Sequence, residues 1–195
     1  MKTQDSHQSI GWQIDTNLLI AEKNQPRCDV FWNNQTLGTI RLKKEGVLQP
    51  CDPSLFDRIP QQFKDPDHQW AGFAARLRVY IFNTNLMSAT EDAVENSLAS
   101  NSLSQAAIAV PLFGTTLSHY AVLCDEMGLE NLKTWHHSLR DRGIREARGN
   151  GAVKDLVAEG ACQLGFTDTD DVFVAIDQGK PVSMLPVRLK SGKTI

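Results

Sequence analysis

Short apolar runs alternate along this chain with stretches of helical periodicity, and no other feature narrows its fold so far. Val79-Tyr80-Ile81-Phe82, residues 106–110 and residues 162–166 read as buried strands. Apolar residues then recur at three- and four-residue spacing in Leu117, Tyr120, Ala121, Cys124 and Met127, and again in Leu129, Leu132, Trp135 and Leu139. Shorter stripes follow at Val153, Leu156 and Val157, and at Val172, Phe173 and Ile176. Strand, helix and strand in alternation predict an α/β protein, a largely parallel sheet covered by helices.

The remaining segments fit that frame. Val30-Phe31-Trp32 reads as a further buried strand, before a helix over 35–45 that stops at Gly46. Residues 49–67, rich in Pro and Asp, read as loop with a helical turn. Residues 144–147 and 182–187 read as strands, the latter at an edge or crossing between lobes because Pro186 cannot donate to a ladder. The Ser-, Asn- and Ala-rich stretch 88–104 marks a boundary between lobes, and residues 190–195 read as frayed.

Composition excludes several function classes. A net charge of -3 gives no general attraction for nucleic acid or anionic lipid. No apolar run approaches the roughly 20 residues of a membrane span, so the chain is not expected to cross one. Residues 1–11 lack the basic tip and apolar core of a signal peptide, so the chain as written would stay in the cytoplasm. Cys28, Cys51, Cys124 and Cys162 have no paired zinc spacing and read as small buried hydrophobes. The adjacent His136 and His137 cannot form a helical metal pair, and His119 with Cys124 lacks an orienting Asp or Asn.

Four strand-to-helix corners hold residues suited to gripping a ligand. They are Trp32-Asn33-Asn34; Gly114-Thr115-Thr116 after Pro111-Leu112-Phe113; Gly149-Asn150-Gly151; and Thr167-Asp168-Thr169-Asp170-Asp171. Parallel sheets place such corners along one edge, where open α/β proteins bind ligands. The plain alternative at each corner is helix capping, since Asn, Thr and Asp satisfy free helix N–H groups. As a set they predict a ligand cleft. Gly114-Thr115-Thr116 at a helix start favours an anion, whereas Asp168, Asp170 and Asp171 favour a hard cation such as Fe3+.

In order along the chain, several segments resemble one family. They are Leu19-Ile20-Ala21-Glu22-Lys23, Asp29-Val30-Phe31-Trp32-Asn33-Asn34, Thr39-Ile40-Arg41-Leu42-Lys43-Lys44-Glu45-Gly46 and Gly72-Phe73-Ala74-Ala75-Arg76. Pro111-Leu112-Phe113-Gly114-Thr115-Thr116, Gly149-Asn150 and Gly165-Phe166-Thr167-Asp168-Thr169-Asp170-Asp171 complete the set. Together they are similar to the iron(III)-type solute-binding proteins of ABC transporters, of the class II periplasmic-binding-protein fold.

The resemblance implies two α/β lobes with mainly parallel sheets flanked by helices. A divergent segment would occupy 1–16, a partial first lobe 17–82, a second lobe 83–187 and a tail 188–195. Val79 to Phe82 and the region around Met184 would cross between lobes. The first lobe would be incomplete, the chain being shortened at both ends. It implies a periplasmic protein that is not an enzyme, needs no cofactor, and delivers a small solute or metal ion to a permease. The solute, ferric iron or a related metal or anion, would lie between the lobes against the corner residues and Arg76. Iron-binding members hold the metal through a tyrosine pair at the position of the Thr-Asp-Thr-Asp segment. Here Tyr80 and Tyr120 lie elsewhere, so Asp168, Asp170 or Asp171 would supply oxygen, with an exogenous anion. Two alternatives stand beside this reading: a metal-dependent hydrolase or transferase using the acidic corner, and a truncated remnant that no longer transports.

Overall fold

The computed structural model describes residues 12–112, 114–189, 191–192 and 194–195. In chain order the elements are α1 (Trp12–Ala21), α2 (Thr36–Lys44), β1 (Arg78–Asn83), α3 (Glu91–Ala99), β2 (Ala106–Ala109), α4 (Gly114–Met127) and α5 (Leu129–Asp141). β3 (Arg145–Ala147), α6 (Asn150–Ala158), β4 (Leu164–Asp168), α7 (Thr169–Asp177) and β5 (Val182–Pro186) follow. By packing, one unit ends at Ala75 and the other runs Arg76–Ile195.

The five strands form one sheet within the later unit, in the order β3-β2-β4-β1-β5. β2 pairs in parallel with both β3 and β4, whereas β1 runs antiparallel between β4 and β5. The sheet is therefore mixed, and Pro186 lies on its edge strand as expected. Strand alternation sends side chains to two cores. Phe82, Ala106, Ile108, Leu164 and Phe166 pack with Tyr120, Leu123, Leu132 and Leu139 of α4 and α5. Val79, Ile81, Ala107 and Ala109 pack with Val153 and Val157 of α6 and Val172 and Ala175 of α7. Covering both faces explains why β2 and β4 are buried at every position. Gly165 permits the close approach of α6: a Cβ there would stand 2.5 Å from Val153 Cγ1.

The earlier unit is helical. Among its described residues the chain forms α1, α2 and two 3-10 turns, Pro53–Phe56 and Gln61–Phe63, where loop with a helical turn was expected. α2 ends as predicted at Gly46, whose φ of 66° permits the closing bonds Gly46 N–Lys43 O and Val47 N–Leu42 O. Lys43 ties the following loop down, donating to Asp65 and Asp67 at 2.5 and 2.7 Å.

Several expectations need correction. Residues 30–32 are not a strand: no described segment pairs with them, and Val30 and Trp32 are 82% and 77% exposed. Their apolar, β-favouring side chains fit a pleated surface only where a neighbouring strand supplies one. The 88–104 stretch holds α3, capped by Thr90 and anchored by buried Val94, so it packs inside the later unit instead of separating lobes. Cys28 and Cys51 are exposed, Cys124 half-buried and Cys162 buried, and all four are free thiols. The inward face of α4 is Thr116, His119, Tyr120 and Leu123, rotated from the apolar stripe because two polar residues are buried. On α7 Phe173 and Ile176 are exposed, as is Leu129 on α5. The end is not frayed at Ile195, whose oxygen accepts from Arg78 N at 2.9 Å. Residues 1–11 of the expected divergent segment, Phe113, and Lys190 and Lys193 of the expected frayed tail lie outside the described residues.

Candidate functional site

Three of the four polar corners meet at one place. Parallel β3, β2 and β4 each end at the start of a helix, α6, α4 and α7 respectively, so Asn150, Thr115 with Thr116, and Thr167 to Asp171 lie along a single sheet edge. Their side chains bond one another. Thr115 Oγ1 donates a short bond to Asp168 Oδ2, which also accepts from Asn150 Nδ2 at 2.9 Å. Asn150 Nδ2 further donates to Thr115 Oγ1 at 2.8 Å, and Asn150 Oδ1 accepts from Thr116 Oγ1 at 2.9 Å. Asp168 sits at the N-cap of α7 yet makes no side-chain cap bond. Capping therefore does not account for Asp168. Gly114 opens α4 with a φ of 70°, which a residue bearing Cβ rarely adopts.

Two arginines complete the charge balance. Arg78, 3% exposed, donates from Nη1 to Asp168 Oδ1 at 2.7 Å and to Asn150 Oδ1 at 3.1 Å. Arg76 Nη1 donates to Asp170 Oδ2 at 2.8 Å and lies 3.8 Å from Asp168 Oδ2. Thr167 Oγ1 donates to Asp171 Oδ2 at 2.7 Å, and Thr169 Oγ1 accepts from Leu77 N at 3.3 Å. Burial raises the Asp171 carboxyl above the ordinary carboxylate range; the Asp170 and Asp168 charges add to this and the Thr167 bond opposes it.

One carboxylate oxygen from each of Asp168, Asp170 and Asp171 lies within 4.8 Å of the others. That is a spacing a hard cation can bridge. Asp168 is 1% exposed and both its oxygens are engaged, whereas Asp170 is exposed and Asp171 half-buried. Asp170 and Asp171 each have one oxygen engaged, by Arg76 and Thr167 respectively, and are the two less buried carboxylates of the three.

The structure thus brings Arg76, Thr115, Thr116, Asn150, Thr167, Asp168, Thr169, Asp170 and Asp171 together, with Gly114 at the same helix start. Trp32, Asn33 and Asn34 belong to the unit ending at Ala75. There Asn33 shapes the start of α2, its Oδ1 accepting from Gln35 N at 2.6 Å and its Nδ2 donating to Thr39 Oγ1 at 2.8 Å. Trp32 meets Phe73 edge to face at 4.8 Å, and Asn34 is exposed. The residue that sequence reading missed is Arg78. Its signal was a lone charge in register with Tyr80 and Phe82 on the same strand face, where alternation called for an apolar side chain.

No protein-family model matches the chain. A probable ABC transporter periplasmic-binding protein, y4fP of Sinorhizobium fredii, is 43% identical over 49 residues, which are 25% of this chain and 14% of that one. Iron uptake protein A1 of Synechocystis is 24% identical over 134 residues, 66% of this chain and 37% of that one. Among solved structures, iron-bound HitA from Pseudomonas aeruginosa superposes with a TM-score of 0.80 at 16% identity, covering 90% of this chain and 58% of that chain. The Trichodesmium protein IdiA (FutA), solved with iron and citrate, gives 0.71 at 21% identity, covering 95% and 62%. The chain spans less than two thirds of the length of each of these relatives. Over the 90% to 95% of its residues that superpose, it has the fold of periplasmic iron-binding proteins, the family its sequence motifs resemble.

Proposed function

We propose that this chain is the solute-binding part of an ABC transporter, taking ferric iron or a related hard cation together with a small anion, with no chemical step. The observation that carries this reading is the convergence of three strand-to-helix corners into one network with two carboxylates, Asp170 and Asp171, at its less buried side. Asp170 and Asp171 supply hard oxygen ligands. Asp168, held by Arg78, Thr115 and Asn150, fixes the turn that presents them. Arg76 and Arg78 offset two of the three acidic charges, leaving the corner receptive to a cation without strong self-repulsion. No tyrosine stands in the network, so the anion supplies the remaining oxygens. The iron named for HitA, and the iron and citrate named for the Trichodesmium protein, favour this class of cargo. The working location is the periplasm and the partner a membrane permease, as for the relatives named periplasmic-binding proteins.

Calorimetric titration of the full chain with ferric citrate, ferric chloride and citrate alone tests the reading. Saturable binding of ferric citrate is expected, weakened about tenfold or more, ~1.4 kcal/mol, by Asp170→Ala and by Asp171→Ala. Flat traces for every solute, or binding indifferent to both substitutions, would overturn it.

A further inference from the structure

A cavity of about 520 Å³ lies within the Arg76–Ile195 unit and shares no residue with the acidic corner. Its volume falls in the range of small-molecule sites. Tyr80, Phe166, Trp135 and His119 line it, together with Leu123 and Val187. Tyr80 and Phe166 pair edge to face with centroids 5.0 Å apart, and the His119 ring lies 6.2 Å from Phe166. Such a wall offers both ring faces and ring edges to an aromatic guest.

His119 makes this more than a gap in packing. It is 1% exposed on the inward side of α4, and its Nδ1 is buried with no hydrogen-bond partner among the described residues. Burial, aided by the Arg78 charge, pushes the imidazole down to about 3, so at neutral pH it is uncharged and has a ring nitrogen able to accept. A polar nitrogen kept from water and left unpaired is costly, and folded proteins satisfy nearly all such groups. The charged groups bordering the cavity are already engaged. Arg142 donates to Leu98 O, Ser100 O and Ser138 O, Arg188 lies 3.5 Å from Glu91, and Glu126 accepts from Ser191. A neutral guest suits that charge balance better than an ion.

We propose that this cavity binds a small neutral aromatic molecule carrying one N–H or O–H donor, an indole or a phenol. Its ring lies among Tyr80, Trp135 and Phe166, and its donor meets the His119 imidazole. The site is separate from the transporter reading, since none of its lining residues is a member of the acidic network.

The test uses the full chain with indole and with 1-methylindole, which keeps the rings and loses the donor. Calorimetry should show saturable binding of indole about fivefold tighter than 1-methylindole, the worth of one neutral hydrogen bond. Indole should also shift one ring nitrogen of His119 in 15N spectra, and His119→Phe should bind both compounds alike. Should that variant fail to fold, the wild-type ring-nitrogen shift decides alone. Absence of the shift, equal affinity for the two compounds, or no saturable binding of either overturns the proposal. A failed ferric citrate titration leaves it standing.

Discussion

Replacing Arg78 by methionine removes the only cation among the described residues that reaches Asp168 at hydrogen-bond distance. The two side chains are 3% and 1% exposed and meet at 2.7 Å. After the change Asp168 keeps neutral donors from Thr115 and Asn150, but Arg76 stands 3.8 Å away and is itself bonded to Asp170. Removing one partner of a buried pair costs about 3–5 kcal/mol, because a charge is left uncompensated out of water. That is a large share of the roughly 5–15 kcal/mol by which domains are stable. The size of the effect thus comes from Asp168, not from lost attraction. Arg78 Nε and Nη2 are themselves buried without partners among the described residues, so the arginine carries a desolvation cost of its own. The double variant Arg78→Met/Asp168→Asn should therefore lose less than the sum of the singles, with a coupling of about 1–3 kcal/mol. Urea unfolding followed by fluorescence reads this out, Trp135 being the only tryptophan from Arg76 onward. A loss below about 1 kcal/mol for Arg78→Met, the size of an exposed pair, would refute the reasoning, as would strict additivity in the double variant.

Three further outcomes are expected. His119 is held near 3 in the folded chain and near 6.5 when unfolded. Between those values only the unfolded chain takes up a proton there, so this contribution is whole above pH 6.5 and falls by about 1.4 kcal/mol per pH unit below it. His119→Phe should flatten that part of the stability-against-pH curve, and an unchanged slope would contradict the burial argument. Gly165→Ala should cost about 1–3 kcal/mol by overpacking against Val153 and Val157. Adding Val153→Ala should recover part of this loss, and no recovery would place the strain elsewhere. Asp171→Asn should raise thermal stability at neutral pH, because the folded state holds that proton more tightly than the unfolded chain and the ionised form is a burden there. The gain should vanish below about pH 3.8, and a loss of stability at neutral pH would reverse the sign assigned to burial.

The relation between the Asp171 carboxylate and stability has a functional side. A carboxylate whose ionised form is disfavoured by burial and by like charges gains when a cation arrives, so the same feature that weakens the free chain would drive solute binding.

Much of this was legible in the residues alone. Alternating apolar runs and helical stripes gave β1, β2, β4 and β5 and the helices α4 to α7, because period two and period 3.6 follow from local backbone geometry and survive any tertiary setting. The halt of α2 at Gly46 was equally local, resting on a left-handed φ that glycine adopts freely. The corner residues were identifiable as a set because parallel strands must start their helices along one edge. Three matters depended on the third dimension. Val30-Phe31-Trp32 has the composition of a strand but no partner to pair with among the described residues, and pairing is a property of neighbours. Polar Thr116 and His119 took the inward face of α4 because Asn150 and the aromatic wall of the cavity lie on that side. Arg78 found its role only when antiparallel pairing set it opposite Asp168, 90 residues away in the chain. Local periodicity decides which segments become helices and strands; the meeting of charges distant in sequence is decided by how those segments pack.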